Sequence, residues 1–348
     1  MDLQILSTTA KAMVAPGKGI LAIDESHATC KKRFDALGVE CTEDTRREYR
    51  ELLVTAPEIE KSVAGMILFD ETIRQSSADG RKFVDILSAK GILAGIKVDG
   101  GTKALALHAG EVVTEGLDGL RERLAEYKSL GAKFAKWRAV ITIAEGSAGA
   151  LPSMACVKSN AHALARYAAL CQEADIVPMV EPEIMMDGAH TIEKCYEVTA
   201  LTLKTLFAEM AEQGVAPQGT ILKVSMVLSG KDCPTQADEK TVAEMTLKVL
   251  KENVPANLAG VVFLSGGQSS EKSTVHLNEI NKIAVADGGK PWPVSFSYGR
   301  AIQKPALNKW AETKKVGAVD GVAVAEAQKL LVEQADRNSL ASMGKFAA

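Results

Sequence analysis

Eight short apolar, β-branched runs recur along this chain, and their repetition constrains the fold more than any other feature. They are GILAID (19–24), AGMILF (64–69), GILAGIKV (91–98), KFAKWRAVI (133–141), IVPMVEPEI (176–184), TILKVSMVL (220–228), AGVVFLS (259–265) and VSFSYG (294–299). Each is at most nine residues long and is bounded by Gly, Pro or polar residues, as strands buried in a parallel sheet are. Helical patterns lie between them. Leu117, Leu120, Leu124 and Tyr127 form a stripe in 115–131, which Gly131 is placed to end. Val242, Met245 and Val249 do the same in 240–252, and an Ala-, Leu- and Glu-rich segment over 193–213 stops at Gly214. Eight strands at intervals of roughly 30 to 45 residues, each followed by helix-compatible sequence, predict an α/β protein of the single (βα)8, or TIM, barrel type. An open doubly wound sheet is the alternative, but the count of eight and the lack of an early GxGxxG favour the barrel. Such barrels reach roughly 250 residues or more as one unit, so residues 1–348 are expected to form one domain with a short tail over about 336–348.

Composition narrows the function classes. Apolar residues make up 47% and charged residues 24%, enough for a large core. No apolar run approaches the roughly 18 residues of a membrane span. The start, MDLQILSTTAKAM, has the character of neither a secretory nor a transit segment. A net charge of −3 argues against nucleic acid as a partner held by bulk electrostatics. The six cysteines lie apart with no CxxC pair, the usage of a reduced, cytoplasmic protein. The five histidines are equally scattered, with no HxH or HxxxH spacing, so no metal site is expected.

The charged residues within the apolar runs are the informative ones. A strand has period two, so residues i and i+2 share a face, and in a parallel barrel the inward side chains near the carboxyl ends build the site. Asp24 ends the first run. Lys97 and Asp99 are paired at the third, Lys136 and Arg138 in the fourth, Glu181 and Glu183 in the fifth, and Lys223 sits in the sixth. A charge in a buried strand costs several kcal/mol unless compensated. Five strands carrying charges at comparable places therefore point to one mutually compensating cavity.

The last two runs end differently. Ser265-Gly266-Gly267 follows AGVVFL, and Gly299-Arg300 follows VSFSY. Glycine lets backbone N–H groups approach an anion, and arginine adds a donor fork, at the loops where many barrels bind phosphate. Ser26, Lys32 and Arg33 in DESHATCKKR offer a second anion site. A linear molecule phosphorylated at both ends fits this inventory. Amine catalysis at a carbonyl is the implied chemistry: a lysine forms an iminium that takes up electrons as a neighbouring C–C bond breaks, while a carboxylate moves protons. Among the lysines, Lys97 shares its face with Asp99, which holds its proton in place. Lys136 shares its face with Arg138 and reads as half of a cationic clamp. Lys223 has Ile221 and Ser225 as same-face neighbours and no carboxylate on its own strand, so it is the expected nucleophile.

With these residues in view, the chain resembles the class I, Schiff-base fructose-1,6-bisphosphate aldolases from APGKGILAIDES (15–26) to NSLASMGK (338–345). LAIDES, GIKVD, FAKWR, VEPEI, FLSGGQS and SFSYGRA carry the resemblance, and GTILKVSMV places it nearest the bacterial branch. The resemblance implies reversible cleavage of fructose 1,6-bisphosphate to dihydroxyacetone phosphate and glyceraldehyde 3-phosphate, without a cofactor, in a cytoplasmic homotetramer. It gives Lys223 the Schiff base, Glu181 the main general acid/base role and Glu183 electrostatic support. Asp24 and Lys136 would orient the substrate around the bond that breaks. Ser265, Gly266, Gly299 and Arg300 would hold the phosphate nearer the ketone, and Ser26, Lys32, Arg33, Lys97 and Arg138 would serve the distal one. Two departures stand out: VDGG (98–101) replaces VDKG, and no tyrosine follows Tyr298, whereas animal members end in a mobile tail with a functional tyrosine. A transaldolase-like barrel, a metal-dependent aldolase or hydrolase, and a non-catalytic barrel scaffold are the competing readings.

Overall fold

The structure is a computed structural model that describes residues 1–144, 150–286, 288–315 and 321–347. Ten strands are present among these: β1 (Gly19–Ala22), β2 (Val63–Leu68), β3 (Leu93–Lys97), β4 (Thr102–Ala104), β5 (Val112–Thr114), β6 (Phe134–Ile141), β7 (Val177–Ile184), β8 (Ile221–Val224), β9 (Gly260–Phe263) and β10 (Val294–Tyr298). Eight of them close into a parallel barrel in the order β1-β10-β9-β8-β7-β6-β3-β2. These eight are the eight apolar runs of the sequence. The remaining two, β4 and β5, pair antiparallel as a hairpin beyond β3 that the apolar pattern does not announce.

The stripe helices form with shifted ends. The helix expected over 115–131 runs Leu120–Ser129, because Gly119, at φ 64, occupies the position before it and leaves Leu117 outside. The segment 240–252 lies in the helix Glu239–Asn253, where Asp238 accepts from the Thr241 N–H at 2.8 Å. The segment 193–213 lies in the helix Ile192–Glu212, with Gly214 at φ 71 just past its end. Residues 336–342, expected to begin the terminal tail, are instead the last turns of the helix Gly321–Ser342.

Two apolar layers position the site. One lies outside the barrel, between strands and helices. The other fills the amino-terminal half of the barrel: Ile20, Phe134, Val177, Met179, Ile221 and Val262 pack with Leu6, Ala10 and Met13 of the helix Leu3–Met13. Phe134 fits because β2 and β3 carry glycine opposite it. A Cβ at Gly95 would fall 2.2 Å from the ring, and one at Gly65 2.9 Å from it. The amino-terminal end of the barrel is thus filled and capped by apolar side chains, so only its carboxyl-terminal end is open to polar chemistry.

Candidate active site

One step along each strand, the inward face changes from apolar to charged: Phe134 gives way to Lys136 and Arg138, Met179 to Glu181 and Glu183, and Ile221 to Lys223. Parallel pairing sets Lys97 beside Lys136 and Arg138 beside Glu181. These side chains open into a cavity of about 1040 Å3 at the carboxyl ends of the strands. Seven cationic side chains face five carboxylates there, so the cavity favours an anion although the whole chain is acidic.

All fourteen residues singled out in the sequence line this cavity. Ser26 caps the helix His27–Asp35, which carries Lys32 and Arg33. Ser265 and Gly266 follow β9; Gly266 and Gly267 have φ of 55 and 94, a left-handed backbone that glycine adopts without strain. Gly299 ends the turn after β10, and Arg300 begins the helix Arg300–Lys315. At Gly299 a Cβ would stand 3.2 Å from the Ala22 carbonyl, so a larger residue would press on β1.

The charge pattern at the centre is specific. Lys136 Nζ lies 2.6 Å from Asp24 Oδ2, 3.6 Å from Glu181 Oε2 and 3.9 Å from Asp99 Oδ2. Burial alone would pull the Lys136 ammonium down, but Asp24, Glu181 and Asp99 outweigh it and hold the proton more firmly than in water. Burial likewise pushes the Asp24 carboxyl up, yet Lys136 and Lys223 bring it down to about 2. Lys223 Nζ has Glu181 Oε1 at 3.1 Å. Lys97 pairs with Asp99 at 2.6 Å, and Arg138 Nε pairs with Glu183.

Two sequence expectations change. Lys136 and Arg138 are not an unopposed cationic clamp: each is matched by carboxylates from neighbouring strands. Lys223 has no carboxylate on its own strand, as expected, but β7 supplies Glu181 across the ladder, a contact that same-strand neighbours do not reveal. Ser297, which lies in the last apolar run but has no role expected from its sequence, also belongs to the site. Its hydroxyl is buried, faces the cavity and has no hydrogen-bond partner, and Glu181 Oε2 is likewise without one. Period two from Ser295 does put Ser297 inward, but serine in a strand is too common to stand out. Tyr298 points the other way and donates to the Ser273 carbonyl at 2.9 Å, so the last tyrosine of the sequence lies outside the cavity.

A closed parallel barrel with two buried lysines, three carboxylates within 4 Å of them and two basic or glycine-rich flanks at its mouth defines a barrel enzyme of carbonyl chemistry on anionic substrates. Comparison with known proteins gives the family. The family described as fructose-bisphosphate aldolase class-I matches residues 5–348. A probable fructose-bisphosphate aldolase class 1 of Xanthomonas axonopodis pv. citri is 56% identical over 346 residues, 99% of each chain. Fructose-bisphosphate aldolase C-B of Danio rerio is 44% identical, over 98% of this chain and 90% of its own. A solved structure of fructose-bisphosphate aldolase from Plasmodium falciparum, in complex with TRAP and a small-molecule inhibitor, superimposes with a TM-score of 0.93 at 43% identity, covering 99% of this chain and 96% of that one. The chain belongs to the class-I fructose-bisphosphate aldolase family, whose members are carbon–carbon lyases. Among the described residues, no helix is long and apolar enough to cross a membrane.

Proposed function

We propose that this cavity carries out reversible aldol cleavage of fructose 1,6-bisphosphate through a Schiff base on Lys223. The amine attacks the ketone carbon of the open-chain sugar to give a carbinolamine. Glu181, 3.1 Å from the Lys223 nitrogen, supplies the proton with which the hydroxyl leaves as water, and an iminium remains. The bond between the first and second carbons beyond the iminium carbon then breaks as its electrons move into the iminium to form an enamine. The hydroxyl proton of the departing carbon passes to a carboxylate, and glyceraldehyde 3-phosphate leaves. Protonation of the enamine and hydrolysis of the iminium release dihydroxyacetone phosphate and restore the amine.

One observation supports the choice of lysine. Lys136 has Asp24, Glu181 and Asp99 within 4 Å, whereas Lys223 has Glu181 alone within that distance among the described residues. Lys136 and Asp24 then orient the substrate hydroxyls, and Glu183 with Arg138 shapes the field around Glu181. Ser265, Gly266, Gly299 and Arg300 take the ketone-side phosphate; Ser26, Lys32, Arg33, Lys97 and Arg138 serve the distal one. Incubation with dihydroxyacetone phosphate, borohydride reduction and peptide mapping should put the added mass on Lys223. Lys223→Arg should lose both adduct and cleavage. An adduct on Lys136 or Lys97 would overturn the assignment.

Residues 1–348 are proposed to fold as one domain, and the chain to work as a cytoplasmic homotetramer. Six free thiols, five of them buried, suit a reducing compartment. Sedimentation at working concentration tests the assembly, and cell fractionation tests the location.

A further inference from the structure

Glu25 follows Asp24 but takes no part in the lysine cluster. Its buried carboxylate accepts from Arg33 Nη1 at 2.6 Å and from Gln303 Nε2 at 2.8 Å on Oε1, and pairs with Arg50 Nη2 at 2.7 Å on Oε2. Gln303 is completely buried and fully used. Its amide also donates to the Ala22 carbonyl at 2.5 Å and accepts from the Tyr49 hydroxyl at 2.9 Å. Its backbone N–H donates to the Gly299 carbonyl at 3.0 Å, one turn along the helix that Arg300 begins. A continuous polar chain therefore runs from the Gly299-Arg300 turn after β10, through Gln303 and Glu25, to Arg33 on the helix that follows the neighbouring strand β1.

We propose that Glu25, held by Gln303, which Tyr49 fixes in turn, is a positioning residue that aims Arg33 and ties the two phosphate grips to one spacing, so that the enzyme selects ketoses phosphorylated at both ends over those lacking the distal phosphate. This rests on the phosphate assignments proposed above. The physical case has three parts. A free arginine side chain must give up its rotamer freedom when it grips a ligand; one held by a buried carboxylate has given it up already. Glu25 occupies one N–H of Arg33 and leaves the rest of the donor fork for phosphate. One carboxylate also faces two guanidinium groups, so the cluster keeps a positive charge for the anion. Without it, Arg33 and Arg50 would repel, and Arg33, with a quarter of its side chain exposed, is the one free to swing away. The glutamine hub fits the same role. A neutral buried amide with every polar atom paired stiffens the link without adding charge.

The test compares fructose 1,6-bisphosphate with fructose 1-phosphate, which keeps only the ketone-side phosphate. In Glu25→Gln, the ratio of kcat/KM for bisphosphate over monophosphate should fall by about tenfold or more, the scale of a hydrogen bond to a charged group, with the change mainly in KM for the bisphosphate. Tyr49→Phe removes only the hydroxyl that fixes Gln303 and leaves every charge in place. It should move the ratio in the same direction by a smaller factor, and it decides the matter if Glu25→Gln fails to fold around Arg50. A parallel loss on both substrates, or an unchanged ratio in soluble variants, would mean that the network only holds the fold. Loss of the wild-type adduct at Lys223, or of all cleavage by the wild type, would instead remove the underlying reading and this proposal with it.

Discussion

Glu181 reaches Lys223 with one carboxylate oxygen, at 3.1 Å, and looks toward Lys136, 3.6 Å away, with the other. A single side chain on β7 is therefore positioned to move protons at the proposed nucleophile while facing the ammonium proposed to orient the substrate. Glu183, two residues on, is bound to Arg138 instead. Glu181→Gln should lower kcat by about 10²- to 10⁴-fold, the range for removing a general acid/base, and should slow formation of the trapped adduct. Glu183→Gln should cost less. Steady-state rates with timed borohydride quenching measure both, and a larger loss in Glu183→Gln would reverse the two roles.

Arg300 stands at the start of a helix beside Gly299, where its fork and the helix N-terminus suit the ketone-side phosphate proposed above. Arg300→Ala should weaken binding of fructose 1,6-bisphosphate by about 2–4 kcal/mol, the range for breaking a hydrogen-bonded charge pair. Titration calorimetry in a Lys223→Arg background reads this without turnover. Unchanged affinity would show that the ketone-side phosphate lies elsewhere.

Among the described residues, no group of three or more His, Cys, Asp or Glu side chains is arranged to hold a metal ion. The electron sink proposed for the bond cleavage is the Lys223 iminium. Cleavage should therefore persist in excess EDTA. A large loss that zinc restores would replace the amine mechanism with a Lewis-acid one.

Much of this architecture is legible in the chain because two periodicities carry it. Strands buried on both faces must be apolar throughout, so a lysine within TILKVSM or FAKWR is visible against its neighbours. Period two then says which charges share the interior. Contacts between strands are less legible. Nothing local to TILKVSM announces Glu181, because the barrel's register, not the sequence neighbourhood, brings β7 and β8 together. Glu25 is hidden for a related reason. It sits one residue past an inward aspartate, where the strand has ended, and its partners Arg50 and Gln303 come from distant helices. The β4–β5 hairpin has three residues per strand, with β4 exposed and β5 partly buried, so it lacks the apolar density by which the barrel strands are found.

The glycines opposite Phe134 give a stability test independent of the chemistry. A Cβ at Gly95 would fall 2.2 Å from the Phe134 ring, well inside contact distance, within a packed interior. Gly95→Ala should destabilise the protein by about 1–3 kcal/mol through overpacking. Phe134→Leu, costly by itself, should be partly rescued when the two are combined, since the smaller side chain makes room for the new methyl group. Urea unfolding of the wild type, both single variants and the double variant gives the coupling. Strictly additive losses would mean that the ring does not set the requirement for glycine at this position.

The last prediction concerns acid. Burial pushes the Asp24 carboxyl up, but Lys136 and Lys223 bring it below its ordinary 3.8, to about 2. A carboxyl whose pKa is lower in the folded than in the unfolded chain stabilises the fold at pH values above the unfolded value. That contribution fades as pH falls through the folded value, because both states are then protonated. From 3.8 to about 2, the contribution is about 2 kcal/mol near neutral pH, and roughly half of it should be gone by pH 3. Asp24→Asn keeps the shape of the side chain and removes the charge, leaving Lys136 with its two more distant carboxylates. The wild type should therefore be more stable than Asp24→Asn at pH 6 to 7, with a gap that narrows steadily from about pH 4 to pH 3. Urea midpoints of the two proteins across that range measure the gap directly. A gap that stays constant down to pH 3, or one that widens with acid, would show that the Asp24 carboxylate is not held ionised by the lysines around it.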